Sequence, residues 1–236
     1  AALGCALSAA GLRIAVVETR QPALEWAPGS TDLRVSAVTQ ASRRILAALG
    51  AWDAIAAERV GPFREMRVWD AGGSGSVHFD SADVGRDALG YVVENRVIQR
   101  ALLQVLTRRD NAAWLCPAAV ASLAYTPAQV RAVLADGTVL TAALIVGADG
   151  ADSKVRRLAG LDVQRHDYQQ QAVVATVRTE RPHRETAWQR FLPAGPLAFL
   201  PLWDDRCSIV WSTGPDHAAR LCEMQDAEFG AETAAA

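Results

Sequence analysis

Residues 1–10 are almost all small, which predicts a helix with a narrow side-chain profile, closed by Gly11 in the C′ position. Residues 13–18 (RIAVVE) form a short, nearly unbroken apolar run ending in an acid, the pattern of a buried parallel strand. Residues 22–32 are turn-rich and predict a loop. Helical spacing resumes over 40–49, with Thr39 or Ser42 at its start and Gly50 at its end, and again over 52–58. Residues 96–109 give the clearest amphipathic helix, with Ile98, Leu102, Val105 and Leu106 on one face and Asn95 as its cap.

Between and after these helices the period shifts towards two. Residues 66–70 and 76–79 flank Ala71-Gly72-Gly73-Ser74-Gly75, and 130–134 and 138–140 flank Asp136-Gly137; both pairs predict hairpins. Residues 144–146 read as another buried strand, running into Gly147-Ala148-Asp149-Gly150. Ser153 then caps a helix through Leu158, closed by Gly160. From 171 onward the strands 172–178, 188–192, 197–200 and 207–211 follow one another. Helix–strand alternation with inserted and trailing sheet predicts an α/β fold, a doubly wound domain carrying a second, mostly antiparallel β-sheet domain.

Composition narrows the classes. The 236 residues correspond to one or two domains, half hydrophobic and 21% charged, which is globular rather than disordered. A net charge of -2 offers no basic excess for a nucleic-acid partner. Cys5, Cys116, Cys207 and Cys222 form no CxxC pair, which excludes a zinc ribbon or disulfide scaffold and suits a reducing cytoplasm. No run approaches the ~18 apolar residues of a membrane span. Residues 1–12 lack the basic segment of a signal peptide. The chain has no initiator Met and starts within an element, so residues are expected before Ala1.

Two constellations carry chemistry. Glu18 ends the 13–18 strand, where a dinucleotide-binding βαβ unit places the acid that holds a ribose hydroxyl; an ordinary surface Glu fits the spot equally well. Residues 142–157 (AALIVGADGADSKVRR) run a strand into Asp-Gly and a capped helix. Gly150 allows close backbone approach, Asp149 accepts hydrogen bonds, and the helix start offers N–H groups to an anion. Asp136-Gly137, between two strands, is only a turn. His78, His166, His183 and His217 show no metal-ligand spacing, and Cys207 and Cys222 read as core or surface residues. Arg156 pairs locally or faces water. No Ser–His–Asp, Cys–His or paired-carboxylate set is visible, so neither a catalytic side chain nor a metal is assigned. The aromatic strands over 188–211 suit either a pocket wall or a sheet core.

The segment GADGADSKVRR resembles the DG motif of the group A flavoprotein monooxygenases. DLRVSAVTQAS at 32–42 resembles a signature of the ubiquinone-biosynthesis hydroxylases within that group, and YVVENRVIQRALL at 91–103 and RFLPAGPLAFLPLWDDRCSIVW at 190–211 resemble two further blocks. The resemblance implies FAD, NAD(P)H and O₂, and hydroxylation of an electron-rich phenol bearing a polyprenyl tail. It implies that Glu18 meets the adenosine ribose and that Arg34, with Ser36 beside it, contacts the flavin side near the pyrophosphate. Arg96 and Gln99 then lie on the helix flanking FAD, Val120 touches the adenine through its backbone, and Asp149 with Gly150 meets FAD and is linked to NAD(P)H use.

The resemblance divides the chain into an FAD-binding domain, 1–65 and 91–165, and a β-rich substrate domain, 66–90 and 166–229. The family's upstream glycine loop and downstream Gly-Asp segment are missing from this sequence. In the sheet order 3-2-1-4-5, the 13–18 strand would lie beside a first strand preceding Ala1, so the cofactor site of these residues alone is expected to be incomplete. A cytoplasmic location is expected, with peripheral association at the inner membrane or in a biosynthetic complex. The alternatives are a flavin-dependent reductase or halogenase, or a non-catalytic FAD-fold subunit of such a complex.

Overall fold

In the computed structural model, which describes Ala1–Ala236, the chain runs α1 (Ala2–Ala9), β1 (Ile14–Val17), β2 (Val35–Thr39), α2 (Gln40–Ala48) and α3 (Trp52–Glu58). Next come β3 (Gly61–Phe63), β4 (Glu65–Asp70), β5 (Ser76–Asp80), β6 (Gly90–Glu94) and α4 (Asn95–Thr107). β7 (Ala112–Leu115), β8 (Val120–Tyr125), β9 (Val130–Leu134), β10 (Val139–Ala142) and α5 (Lys154–Leu158) follow. The chain ends with β11 (Gln171–Arg178), β12 (Thr186–Leu192), β13 (Gly195–Pro201), β14 (Arg206–Thr213), α6 (Pro215–Glu223) and α7 (Asp226–Ala235). Two compact units result, 1–23 with 106–166, and 24–105 with 167–236.

In the first unit, β1 pairs in parallel with β7, Ile14 against Ala112 through Val17 against Leu115. Small residues let α1 lie close to this pair: a Cβ on Gly4 would come within 3.1 Å of Val16 and 3.2 Å of Leu106. The Asn111 amide ties the end of α1 down, donating to the Ser8 and Leu12 carbonyls at 2.9 Å and accepting from the Ser8 hydroxyl at 2.7 Å. β8, β9 and β10 form a separate antiparallel sheet, with the expected turn at Asp136-Gly137. Ser153 caps α5 as expected, its Oγ accepting from the Arg156 N–H.

One expected strand is absent. Residues 144–146 are irregular, and Leu144 and Val146 are 74% and 50% exposed. Apolar character alone does not make a strand: ladder bonds need a neighbour, and β1 and β7 pair only with each other.

The second unit holds a three-stranded sheet, β2-β6-β3, and a six-stranded sheet, β11-β14-β13-β12-β4-β5. Only β12–β4 is parallel in the larger sheet, so the antiparallel expectation holds for the rest. On one face α6 covers Val173, Leu197, Ile209 and Trp211 with Ala218 and Leu221, and Phe229 of α7 packs against the same cluster. On the other, Met66, Ala187 and Leu200 meet Phe63, Val92 and Leu202. Thr39 caps α2 through the Ser42 N–H, as its sequence position predicts. Asn95 does not sit outside α4 as its cap; it is the first helical residue, and its Oδ1 accepts from the Ser36 hydroxyl at 2.6 Å.

Candidate functional site

Parallel pairing aims the carboxyl ends of β1 and β7 the same way, and Glu18 follows β1 directly. Its N–H donates to the Leu115 carbonyl, and its own carbonyl accepts from the Ala118 N–H. The half-buried carboxylate takes only local bonds, from the Thr19 hydroxyl at 3.2 Å and the Arg20 N–H at 3.1 Å. Beside it lies a cavity of about 240 Å³ lined by Thr19, Pro117, Ala118, Ala119, Leu134, Ala135 and Asp136. Val120 opens β8 opposite Leu134, immediately after the lining residues 117–119. Glu18 and Val120 are thus the chain neighbours of two residues that line this concavity, Thr19 and Ala119.

Asp149 and Gly150 stand at the start of α5 in the same unit. The Asp149 carboxylate accepts from the Ser153 hydroxyl, and from the N–H groups of Lys154 at 2.7 Å and Val155 at 3.1 Å. Burial opposes its ionisation, but these donors outweigh it and hold the carboxyl below its ordinary value. Gly150 has φ +87° and nothing within 4 Å of where a Cβ would stand, so its backbone is open to a ligand.

In the second unit, Arg34 is exposed, its guanidinium making no hydrogen bond or ion pair, while its carbonyl accepts from the Asn95 N–H at 2.9 Å. Ser36 lies on β2 and is held through Asn95. Gln99 is exposed on α4 with a free side chain. Arg96 is different: its guanidinium is spent on Glu94, on Ser30 and on the Trp26 ring. Sequence reasoning missed Glu94, which is 2% exposed and takes bonds from three groups. An acid ending a strand carries no pattern that announces this.

One histidine has acidic neighbours that linear spacing does not show. Glu65, His78 and Asp80 bring donor atoms within 4.8 Å of one another across the β4–β5 ladder. Cross-strand register makes this proximity, so linear spacing hid it. Arg67 supplies positive charge there, donating twice to Glu65 and, with His78, holding the Glu65 carboxyl below its ordinary value. His217 pairs with Thr213 and packs edge-on against Trp211, a structural placement. Burial pushes the Cys207 thiol up to about 11, which removes it as a nucleophile.

The question left open for the 188–211 strands resolves by face. Trp211 is 3% exposed under α6, so that face is core there. On the opposite face the register sets Val77, Val68, Gln189, Ala198, Val210 and Val174 in one row, with Gln189 its one polar member. Val77, Val174 and neighbouring Phe191 remain exposed on that side.

No helix of the chain is long and apolar enough to cross a membrane. The chain is 37% identical over 233 residues to the 3-demethoxyubiquinol 3-hydroxylase of Escherichia coli, covering 99% of this chain and 59% of that protein. It is 38% identical over 230 residues to the ubiquinone hydroxylase UbiL of Rhodospirillum rubrum, covering 98% and 53%. The chain therefore spans little more than half the length of these relatives. Among solved structures, Pseudomonas aeruginosa PqsL in complex with 2-aminobenzoylacetate superposes with a TM-score of 0.75 at 25% identity, over 93% of this chain and 59% of that one. The p-nitrophenol 4-monooxygenase PnpA of Pseudomonas putida gives 0.72 at 18%, over 97% and 56%, a likeness of fold alone. A family model described as the FAD binding domain matches residues 1–235, nearly the whole length over which these elements were laid out, and the chain belongs to that family.

Proposed function

We propose that this chain is the cofactor-binding and substrate-sheet part of an FAD-dependent hydroxylase that uses NAD(P)H and O₂ on a polyprenylated phenol. The observation that carries the reading is likeness to ubiquinone hydroxylases over 98–99% of the chain. The residues fit FAD: a strand-end carboxylate beside a cavity, an open glycine backbone at a helix start, and an unpaired guanidinium. When bound, FAD supplies the redox chemistry that activates O₂. Glu18 would accept from a ribose hydroxyl, Val120 would offer its backbone to the adenine, Asp149 would accept from a sugar hydroxyl, and Gly150 would let the cofactor approach the backbone closely. Arg34 and Ser36 face the flavin side with Gln99, and Arg34 supplies the cation for the pyrophosphate. Arg96 serves this site from the α4 side.

The apolar row with Gln189 excludes water and orients the ring, with residues 66–90 and 166–229 as the substrate part and 1–65 and 91–165 as the cofactor part. A polyprenyl tail partitions into lipid, so the reading includes peripheral attachment to the inner membrane or to a biosynthetic complex. The test is the full-length protein given NADPH and a prenylated phenol. A flavin absorbance, NADPH oxidation and a product 16 mass units heavier (one oxygen) support the reading; flavin with no oxygenated product favours the reductase or non-catalytic alternative. Arg34→Ala is expected to lower flavin binding or reduction with an unchanged melting temperature. A large loss of stability with normal activity per folded molecule would make Arg34 structural.

A further inference from the structure

Residues 24–34 have no regular secondary structure, yet they carry the approach to Arg34 and Ser36. A loop of this length loses much backbone entropy when held in one shape, so something must hold it. Three arginines do. Arg96 Nη2 donates to the Ser30 carbonyl at 2.5 Å and Nη1 to the Ser30 hydroxyl at 3.3 Å, and Arg59 donates to the same carbonyl. Arg96 and Arg100 stack on Trp26 at 4.5 and 4.2 Å, and Arg100 also pairs with Glu58. Arg59 stacks on Trp203 at 5.2 Å.

Glu94 joins these parts. Its Oε2 accepts from Arg96 Nε at 2.7 Å and from the Asp32 N–H at 3.0 Å; its Oε1 lies 3.4 Å from Arg59 Nη1. One buried carboxylate thus holds two guanidiniums and the loop backbone two residues before Arg34. Asp32 passes the restraint on, its Oδ1 accepting from the Arg34 N–H at 3.1 Å. A charged acceptor is needed: a neutral amide at this position leaves two largely shielded guanidiniums without their counter-charge.

We propose that Glu94 is a positioning residue, the anchor of a carboxylate–diarginine clamp that fixes the 24–34 segment and thereby sets Arg34 for the flavin. Arg96 acts as a member of that clamp. The proposal rests on the flavin reading above, and its test separates the two.

The experiment compares full-length wild type with Glu94→Gln and Arg96→Lys, the second keeping charge but losing the guanidinium fork. Amide hydrogen exchange of the flavin-free proteins reads the clamp, and FAD titration reads its consequence. The expected result is at least tenfold faster exchange at Asp32 and Arg34 with exchange in β14 unchanged, and an FAD Kd raised about tenfold in the folded fraction. Unchanged exchange at Asp32 overturns the clamp. Faster exchange with an unaltered Kd overturns the positioning role, because a purely structural residue lowers the melting temperature and leaves the Kd of folded molecules alone. Wild type that takes up no FAD overturns the flavin reading, and exchange then decides the clamp by itself.

Discussion

Asp136-Gly137 and Asp149-Gly150 are the same dipeptide in the same unit, with glycine φ of +89° and +87°. Each aspartate lies below its ordinary pKa because donors nearby favour the charged form. Their neighbours differ. Asp136 sits between β9 and β10, whose ladder from Val133–Val139 to Val130–Ala142 consumes the backbone groups around it. Asp149 follows an unpaired segment and precedes α5, whose first N–H groups have no intrahelical partner and converge on its carboxylate. The dipeptide sets a conformation; the flanking elements decide what the carboxylate holds. At Asp136 it holds one turn N–H, and at Asp149 the first N–H groups of α5, which are therefore not free for the anion expected from the sequence.

Alanine at the two aspartates gives the largest contrast. Asp149→Ala in the full-length protein removes a charged acceptor, and a hydrogen bond to a charged group contributes about 1.5–3 kcal/mol, so FAD retention should fall about tenfold or more. Asp136→Ala trims one wall of the cavity beside Glu18 but removes no group assigned to hold FAD, so flavin content should fall far less. Equal loss in both variants, or none in Asp149→Ala, would break the comparison.

The glycines come next. Neither meets an atom within 4 Å at its Cβ position, so the cost of alanine is conformational, about 1–2 kcal/mol at either site. Gly137→Ala and Gly150→Ala should therefore lower the melting temperature by similar amounts, while only the second weakens FAD binding. A much larger thermal loss at Gly150 would show that its conformation supports more than the local turn.

What the sequence made legible follows the same logic of neighbours. The caps at Thr39 and Ser153 and the hairpin at Asp136-Gly137 were readable because each is settled within a few residues. The β2–β6 sheet was not, since Val35 pairs with Glu94 across 59 positions and VSAVT is too short to announce a strand. Parallel β12–β4 pairing is likewise non-local. α6 went unread although Pro215 at its first turn after Gly214 is a local start signal, and α7 although Gln225 and Glu228 form a capping box. At the site, Glu18 and Asp149 stood out because both end recognisable local units. Glu94 did not, because its partners Asp32 and Arg59 come from separate loops and helices.

The smallest expected effect is a difference in acid sensitivity. A carboxylate whose folded pKa is depressed contributes stability that is fully present above its unfolded pKa and is lost as pH falls through the folded value. Both aspartates obey this sign, so each contributes to the decline of stability on acidification from about pH 5 downward. At Asp136 the main cause is the Thr138 N–H, followed by the Thr138 hydroxyl. At Asp149 burial works against the Ser153 hydroxyl and the N–H groups of Val155, Asp149 and Lys154, which together prevail, so protonation there also releases the start of α5. Denaturant melts of Asp136→Asn and Asp149→Asn at neutral and acid pH should show a shallower acid decline than wild type in both. Asp149→Asn should be flatter, with α5 amides exchanging faster at neutral pH. A steeper decline in either variant would reverse the sign assigned to that carboxylate, and identical exchange of α5 in Asp149→Asn would remove Asp149 as the group that holds the helix start.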